Sequence, residues 1–442
     1  MSRLSDIRGY VNVWRILAVL SLIVLVAQSA WFALGLGVVA VAAIIALRRT
    51  ARGKTFTDRL RLPVLAIMSA FIVGGFVLVL SDLEFYAAFG ADPLGTLGTS
   101  VLRVLEAYTA LIKGAFGDPA RIIPAISSGD PQQLGTALRP ITETLLASTP
   151  LILAGLGVAV AFRSGVFNIG AEGQLKVGAT FAVLVGIWVP LPAPFHVIAA
   201  IIAGFIGGAL YGFIPGILKA RTGAHEVITT IMLNTIAQAV MLALLQTPIL
   251  QPVGGTTPIS ISVQESAYLP TLVDLPRIRV HWGLILALVM AAATSWLMFR
   301  TTRGFEFRAA GLNPRAAGYA GMNAGRTIVL AMLVSGGLAG LAGAGEVLGT
   351  THYLSPSISP GYGWDAISLA LLGGTRPGGV VVAALIFGAL RAGTPSMKLA
   401  TDVPADLLMF VAAPRLVREI YRIRLSSAAP KTPLAAVTET PT

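Results

Sequence analysis

The sequence predicts an all-α, polytopic membrane protein with about 10–12 transmembrane or re-entrant helices. Two observations predict this class. The chain of 442 residues is 55% hydrophobic and only 12% charged, whereas soluble domains carry about 25% charged residues. Its mean hydropathy is +0.80, and apolar runs follow one another along nearly all of it. The sequence contains no cysteine, which excludes disulfide frameworks, cysteine-based zinc sites and thiol nucleophiles.

The distribution of basic residues predicts how the chain is oriented. The formal net charge is +12, and in membrane proteins lysine and arginine accumulate on cytoplasmic loops. Basic residues flank the apolar run 13–47 on both sides, and the segments 300–326 and 415–424 are also basic. We therefore expect both termini in the cytoplasm. No basic, aromatic-rich soluble surface is visible, so nucleic acid is not expected as a partner.

Residues 1–140 are expected to form an N-terminal membrane hairpin, a third span and an extracytoplasmic segment. As one helix, the run 13–47 would be about 52 Å long at about 1.5 Å per residue, whereas the hydrocarbon core is about 30 Å thick. Because both flanks are basic, a tight hairpin is favoured, and one long tilted helix is the alternative. The third span is predicted over 62–80. Residues 94–116 predict an amphipathic helix on or near the membrane surface.

Residues 141–413 are expected to form the membrane core, and 414–442 a basic cytoplasmic stretch followed by a disordered tail. The outer loop 247–280 has balanced charges and a strand-like stretch at 259–263. The run 407–413 is too short to span the membrane, since about 20 residues are needed, so the last crossing stays open. Further apolar segments are predicted at 141–162, 177–189, 195–218, 227–245, 281–299, 327–348, 365–372 and 380–390.

The helix predicted over 195–218 carries glycines at four-residue spacing. Small residues repeated in this way share one helix face and let a neighbouring helix approach closely. We therefore interpret the ladder as a helix-packing seam rather than as a ligand site. Its members are Gly204, Gly208, Gly212 and Gly216.

The stretch 163–178 interrupts two long apolar runs with glycines and polar side chains. Non-helical backbone at membrane depth survives only where protein buries it or a cavity wets it. The glycines would allow a break, and Asn168, Glu172 and Gln174 would give it polar side chains. We interpret this stretch as the point where the helices part around a permeation path.

Further polar side chains lie within the apolar segments. Ionisable residues inside a membrane are costly and by default suggest function. Glu226, Thr229 or Thr230, and Asn234 lie at helical spacing, which predicts one polar face on that helix. Such a face would line a path for a polar solute or only join helices by hydrogen bonds, and both interpretations stay open. The predicted path residues are Asn168, Glu172, Gln174, Glu226, Thr229 and Asn234, with Glu346 and Asp365 as weaker candidates.

The sequence predicts neither catalysis nor a metal site. Residues 52–55 resemble the end of a phosphate-binding loop, but Arg48 stands where the leading glycine would be. His225 and Glu226 open like a zinc-protease helix, but Thr229 replaces the second histidine, and the four histidines are scattered. No nucleophile elbow is present. We therefore expect a chain that is not an enzyme and that binds no metal or cofactor itself.

The basic segment 300–326 predicts a short structured loop. Asn313-Pro314 favours a turn or a helix start, and the alanines that follow favour a short helix across the inner face. From its residues alone, this segment is either an ordinary loop or a docking element for a cytoplasmic partner.

Five stretches, which occur in this order between about 147 and 393, resemble the permease subunits of bacterial ABC importers for nucleosides and simple sugars. The combination is closer to the nucleoside branch, and the simple-sugar branch is the alternative. The stretches are Phe167-Asn-Ile-Gly-Ala-Glu-Gly-Gln174, Glu226-Val-Ile-Thr-Thr-Ile-Met-Leu-Asn234, Arg308-Ala-Ala-Gly-Leu-Asn-Pro-Arg-Ala-Ala-Gly-Tyr-Ala-Gly-Met322, Ser335-Gly-Gly-Leu-Ala-Gly-Leu-Ala-Gly-Ala-Gly-Glu346 and Ala366-Ile-Ser-Leu-Ala-Leu-Leu-Gly-Gly374.

The resemblance implies a multi-pass subunit of the bacterial cytoplasmic membrane that works with three partners. They are an ATP-binding-cassette ATPase, a second permease that is homologous or identical, and an extracytoplasmic substrate-binding lipoprotein. ATP would be held by the ATPase and not by this chain. The resemblance also implies that 308–322 contains the coupling helix that meets the ATPase, with Arg308, Gly311, Asn313 and Arg315 serving coupling.

Two other functions are alternatives to this one. A proton-driven secondary transporter would use Glu172 or Glu226 as a relay, and a membrane scaffold or receptor would carry no solute at all. The polar, broken stretch 163–178 argues against the scaffold. The coupling-like loop argues against the secondary transporter.

Overall fold

The computed structural model describes residues 92–252 and 254–401, together with short pieces between residues 71 and 90. Within them, the regular elements are helices, and Thr271 and His281 form an isolated β-bridge. The all-α prediction is confirmed. The hairpin predicted at 13–47, most of the third span, the run 407–413 and the C-terminal tail lie outside the described residues. The number of membrane segments and the side on which the termini lie stay predictions.

The chain divides into two compact units. One comprises residues 1–105 and 403–442, and the other comprises residues 106–402. The second unit contains the helices and side chains of the candidate site described below.

Three helices precede the polar stretch: α1 spans Pro93–Phe116, α2 spans Pro119–Ser128 and α3 spans Pro131–Arg163. The helix predicted over 94–116 is therefore present. Asp118 and Asp130 cap α2 and α3, because each carboxylate accepts a hydrogen bond from the backbone N–H two residues ahead. A proline follows each cap, where its fixed φ suits a helix start. These signals begin α3 ten residues before the apolar run at 141–162.

The remaining predicted apolar segments all overlap helices, but several of the helices are longer. The helix predicted at 380–390 is longer at both ends, and the one at 195–218 ends four residues later. The helices predicted at 177–189, 327–348 and 365–372 begin six, three and three residues earlier. α4 spans Ala171–Trp188, α5 Phe195–Thr222, α6 Glu226–Leu244, α7 Gly283–Arg300, α8 Thr302–Leu312, α9 Pro314–Tyr319, α10 Ala324–Glu346, α11 Tyr362–Leu372 and α12 Pro377–Thr401, with a 3₁₀ turn at Glu265–Ala267 and a π turn at Val347–Thr351.

Six of the described helices are long and apolar enough to cross a membrane, namely α3, α5, α6, α7, α10 and α12. Of these, α3 and α10 are central, with 83% and 72% of their apolar windows buried in the protein. The windows of α5, α6 and α7 are largely exposed, as expected for helices whose apolar side chains face lipid. The shorter α4 packs against α5 and α10, and α11 packs against α3. The candidate site lies where the central and the short helices meet.

Glycines bring α5 and α10 into close contact. A Cβ atom at Gly208 would overlap the carbonyl oxygen of Gly336, and a Cβ atom at Gly340 would overlap the carbonyl oxygen of Gly204. Backbones can approach this closely only where neither helix has a side chain. The glycines of the predicted ladder that face α10 are Gly204, Gly208, Gly212 and Gly216.

The stretch 259–263, which was expected to be strand-like, is extended but forms no strand. Its N–H groups donate to carbonyl oxygens of irregular segments. Ser260 bonds to Leu354 at 2.9 Å, and Val263 bonds to His352 at 2.9 Å. A regular ladder requires a second extended strand, and the partners here belong to the loop that follows the π turn. The prediction was wrong because β-branched alternation also suits an extended loop that is pinned against another loop.

Candidate functional site

The predicted interruption of the apolar segment is present, because α3 ends at Arg163 and α4 begins at Ala171. Gly165 has a φ of 77°, a left-handed conformation that reverses the chain after α3. The N-cap position of α4 is Gly170, which has no side chain to cap the helix. The first N–H groups of α4 therefore need partners from other parts of the protein.

Asn168 joins this interruption to α4 and α10. Its amide nitrogen donates to Gln174 Oε1 at 2.8 Å and to Ser335 Oγ at 2.7 Å. Its amide oxygen accepts from Gly170 N at 2.9 Å and from Gln174 Nε2 at 3.2 Å. The side chains of Asn168, Gln174 and Ser335 are all buried. Because all donors and acceptors of the Asn168 amide are used, its orientation is fixed.

Asn234, on α6, supplies the cap that Gly170 cannot. Its amide nitrogen donates to the carbonyl oxygen of Ile169 at 2.9 Å, and its amide oxygen accepts from the N–H of Gly173 at 2.8 Å. That N–H belongs to the first turn of α4 and has no partner within the helix. One side chain therefore satisfies two backbone groups at the break.

Glu172 is buried and connects α4 to the start of α11. One carboxylate oxygen lies 3.0 Å from Lys176 Nζ. The other accepts hydrogen bonds from Ser359 Oγ and from the N–H of Gly363, both at 2.9 Å. A helix N-terminus favours a negative charge because its N–H groups point outward. The carboxylate is therefore neutralised by a lysine and by the amino end of α11.

Asp365 and Arg391 form a second ion pair within the apolar helices. The guanidinium of Arg391 contacts Asp365 Oδ2 at 2.6 Å and the carbonyl oxygen of Pro360 at 3.0 Å. It also lies 4.8 Å from the centre of the Tyr362 ring. The pair connects α11 to α12, close to the contact between Glu172 and α11.

Glu226 lies at the start of α6, at the other side of the interruption. Its carboxylate contacts Lys219 Nζ at 2.6 Å, and Phe167 N lies 3.5 Å from it. Thr230 and Asn234 share its buried face, whereas Thr229 is half-buried and its hydroxyl donates to the carbonyl oxygen of His225, just before α6. The sequence spacing allowed either threonine, and the structure places Thr230, not Thr229, beside the break.

Glu346 does not belong to the network around Asn168. It ends α10 and has no side-chain hydrogen bond or ion pair among the described residues, although the charges of Arg279 and Arg391 act on it. Five of the eight predicted path residues lie at the interruption, namely Asn168, Glu172, Gln174, Glu226 and Asn234. Asp365 lies beside them on α11. Thr229 and Glu346 lie elsewhere.

Sequence reasoning missed several polar groups of this region. Lys176 lies four residues after Glu172 on the same helix face, a spacing that predicts an ion pair. Arg391 is an intramembrane cation, which is as costly as the acids that were considered. Gln238 lies four residues beyond Asn234, and its Oε1 atom is buried without a hydrogen-bond partner among the described residues. Helical spacing alone would have found both Lys176 and Gln238.

The predicted coupling segment forms two short helices, α8 and α9. Asn313 caps α9, since its side-chain oxygen accepts from the N–H groups of Arg315 and Ala316, both at 3.1 Å. The helix start predicted at Asn313-Pro314 is confirmed. Arg315 is exposed. Arg308 instead folds back, with its guanidinium 5.4 Å from the Phe299 ring centre.

Gly311 brings this segment into contact with the interruption. A Cβ atom at Gly311 would overlap the carbonyl oxygen of Arg163 and would lie 2.9 Å from Gly165 N. A Cβ atom at Gly165 would in turn lie 2.9 Å from the Cα of Gly311. The end of α8 and the turn after α3 therefore touch backbone to backbone.

Comparison with known proteins assigns the chain to a family. The family described as "Branched-chain amino acid transport system / permease component" matches residues 141–413, which is more than half of the chain. The chain belongs to this permease family. No solved structure matches it.

Several relatives are similar over most of their length. The guanosine ABC transporter permease protein NupP of Bacillus subtilis is 41% identical over 70% of this chain and 84% of the relative. The nucleoside ABC transporter permease protein NupB of Lactococcus lactis is 33% identical over 81% and 89%. The glucose ABC transporter permease protein TsgB13 of Haloferax volcanii is 33% identical over 79% and 84%.

Family membership and the six apolar helices establish a multi-pass permease subunit of the bacterial cytoplasmic membrane. These relatives are transport permeases rather than enzymes. An ABC permease implies an ATPase and a substrate-binding protein as partners. The resemblance seen in the sequence is therefore confirmed at the level of the family.

Proposed function

We propose that this chain is the permease subunit of an ABC importer that moves nucleosides across the cytoplasmic membrane. The observation that carries the proposal is its similarity, over most of its length, to a guanosine permease and a nucleoside permease. The buried polar groups at the interruption between α3 and α4 support it, because a nucleoside presents hydroxyls and amide-like base edges that such groups can bind.

The path runs past the side chains that now satisfy one another at this interruption. Asn168 and Gln174 pair through their amides, and Glu172 is held by Lys176 and α11. Buried polar groups need partners at every stage of transport. A nucleoside that enters this region therefore replaces some of these internal hydrogen bonds with its own. Gln238 offers an acceptor that has no hydrogen-bond partner within the described part of the chain.

Coupling to the ATPase uses α8 and α9. The proposal rests on the contact between Gly311 and the turn after α3, which connects the coupling segment directly to the path. When the ATPase moves α8, this contact transmits the movement to Gly165 and to the interruption. Arg315 is exposed and free to meet an acidic ATPase surface, while Asn313 fixes the start of α9.

The partners complete the transporter. The ATPase binds and hydrolyses ATP, and this chain holds no cofactor of its own. A second permease, homologous or identical to this one, forms the other wall of the path. An extracytoplasmic lipoprotein delivers the nucleoside.

A simple sugar is the second candidate substrate, favoured by the glucose permease of Haloferax volcanii at 33% identity. The proton-driven transporter is disfavoured, because both of its relay candidates are ion-paired. Glu172 lies 3.0 Å from Lys176 Nζ, and Glu226 contacts Lys219.

The test is uptake of labelled guanosine into sealed vesicles that contain this chain with its receptor and ATPase. Uptake is measured with and without ATP, and in the presence of unlabelled nucleosides, ribose, glucose or galactose. We expect ATP-dependent uptake that nucleosides block and sugars do not. Blocking by sugars alone would move the substrate to the sugar class, and uptake without ATP would refute the ABC mechanism.

A further inference from the structure

A cavity of about 640 Å³ lies at the end of α7, on the side of the membrane that the basic residues predict to be cytoplasmic. It is bounded by the end of α7, the start of α8 and the turn between α9 and α10. None of the four predicted coupling residues lines it. Its lining includes three arginines, Arg300, Arg303 and Arg326, and two aromatic rings, Phe299 and Phe305.

The charge of this cavity is positive. Arg303 pairs with Glu306 at 2.9 Å, and Glu306 is the one acidic residue of the lining. Arg300 and Arg326 are exposed and have no ion pair among the described residues. The N-termini of α8 and α10 also open here and add partial positive charge. The carbonyl end of α7 opposes them, so the net attraction for an anion rests on the two unpaired arginines.

An apolar stripe continues from the cavity along α7 into the membrane. Its side chains are spaced so that they share one outward face of the helix. Trp296 is 63% exposed and Val289 is 55% exposed, so none of the described residues covers this face. The stripe consists of Ile285, Leu288, Val289, Trp296 and Phe299, and Phe299 also lines the cavity.

We propose that this cavity and stripe bind one anionic phospholipid of the cytoplasmic leaflet. The phosphate group lies between Arg300 and Arg326, and the acyl chains follow the stripe of α7. Basic pockets at the cytoplasmic ends of membrane helices suit lipid head groups, and a tryptophan at the membrane–water boundary suits the adjoining glycerol region. A free phosphate ion would use the arginines but would leave the contiguous apolar stripe unexplained.

The test uses the position of Trp296 beside the proposed acyl chains. The full-length chain is placed in bilayers of phosphatidylcholine that contain brominated phosphatidylglycerol or brominated phosphatidylcholine, since bromine quenches tryptophan fluorescence on contact. Subtracting the signal of the Trp296→Phe variant isolates this residue from the other tryptophans. We expect brominated phosphatidylglycerol to quench Trp296 at a lower mole fraction than brominated phosphatidylcholine.

Arginine variants then separate the site from general membrane attraction. Arg300→Gln with Arg326→Gln should weaken the preference for phosphatidylglycerol about 25-fold, because each basic residue near an anionic lipid contributes a factor of roughly five. The matched control Arg221→Gln, an exposed arginine at the end of α5, should leave it unchanged. Arg300→Lys with Arg326→Lys should retain most of the preference for phosphatidylglycerol. That result excludes misfolding as the cause of the loss in the glutamine variant.

Three results would overturn the inference. Equal quenching of Trp296 by the two brominated lipids, or a preference that survives the double glutamine variant, would mean that no anionic head group occupies the cavity. Loss of the preference in excess inorganic phosphate, but not in sodium chloride of equal ionic strength, would assign the cavity to a soluble phosphate compound instead of a lipid.

Discussion

Replacing Asn234 with leucine is the sharpest test of how the interruption is held. The change keeps the branched shape of the side chain and removes the amide that bonds to the backbone of Ile169 and Gly173. Asn234 is 7% exposed, so water cannot readily replace it. The variant removes the partner of one partly buried carbonyl, that of Ile169, and of one buried N–H, that of Gly173.

The expected loss of stability follows from these two groups. A buried backbone group left without a partner costs about 1–3 kcal/mol, so the pair costs about 2–6 kcal/mol. Hydrogen bonds between membrane helices average only about 0.6 kcal/mol, because the unfolded chain in the membrane finds other partners. We expect the loss of about 2–6 kcal/mol. The N–H of Gly173 lies in the first turn of a helix, and the irregular backbone before it offers no other hydrogen-bond acceptor.

The measurement is the free energy of unfolding of the purified chain in mixed micelles, followed by tryptophan fluorescence as denaturing detergent is added. Hydrogen exchange of residues 169–176 is measured in parallel, and it should accelerate in the variant while exchange in α12 does not. The neighbouring Thr235→Ala is the control, since Thr235 is exposed on the same helix. If Asn234→Leu unfolds within about 0.5 kcal/mol of this control, Asn234 does not cap α4.

Three further predictions concern other parts of the chain. Gly208→Leu should destabilise the protein by about 1–3 kcal/mol or more, because its side chain would overlap the backbone of α10, whereas Leu210→Met on the exposed side of α5 should change little in the same unfolding assay. Lys219→Met should lower the free energy of unfolding by roughly 1–3 kcal/mol more than Arg221→Met, because it leaves Glu226 unpaired. The loss is smaller than for a fully buried pair, since the Lys219 side chain is 25% exposed. Equal effects of the two variants would contradict this prediction. Burial, and then the charge of His352, lower the pKa of His281 to about 4. The unfolded state, with a pKa of about 6.5, binds more protons between these values, so stability should fall by about 3 kcal/mol as pH drops from 6.5 to 4. His281→Gln should remove most of this pH dependence of the unfolding free energy.

The geometry around His281 explains why its neutral form is favoured. The N–H of Gly283, at the start of α7, donates to His281 Nδ1 at 3.1 Å. Protonation of Nδ1 would convert this acceptor into a donor and remove the bond. The same ring lies against Gly349, and its Nε2 is 3.4 Å from Thr350 Oγ1. A charged ring would therefore disturb both the cap of α7 and the π turn after α10.

The sequence was sufficient for most helices because apolar runs and caps are local signals. Asn313-Pro314 predicted the start of α9, and the structure has Asn313 as its cap. The early start of α3 at Pro131 carried a signal as well, since Asp130 and Pro131 form a typical helix beginning. Hydropathy alone does not reveal this start, because it detects only the apolar part of a helix. The first ten residues of α3 precede the apolar run at 141–162.

The partners of the polar side chains could not be predicted to the same extent, because they depend on which helices lie side by side. Spacing placed Glu226 and Asn234 on one face, yet it allowed both Thr229 and Thr230. Nothing local connects Glu172 to Gly363 or Asn168 to Ser335, which are far apart in the chain. These contacts follow from the packing of α4 against α10 and α11, and that packing is set by glycines whose pairing the sequence does not specify.

The proposed transport cycle depends on the irregular backbone between α3 and α4, because that segment touches both the coupling helices and the polar groups. On one side, Gly165 packs against Gly311 with no side chain between them. On the other, Asn168 and Asn234 hold its far end to α4, α6 and α10. A contact between two backbones is stiff, since no rotamer can absorb a displacement. In the proposed cycle, movement of α8 therefore shifts the turn after α3, and we expect this shift to exchange the hydrogen bonds of Asn168 and Gln174. A valine at Gly311 should thus uncouple ATP hydrolysis from uptake while the protein still inserts in the membrane, and full uptake by that variant would remove the coupling role.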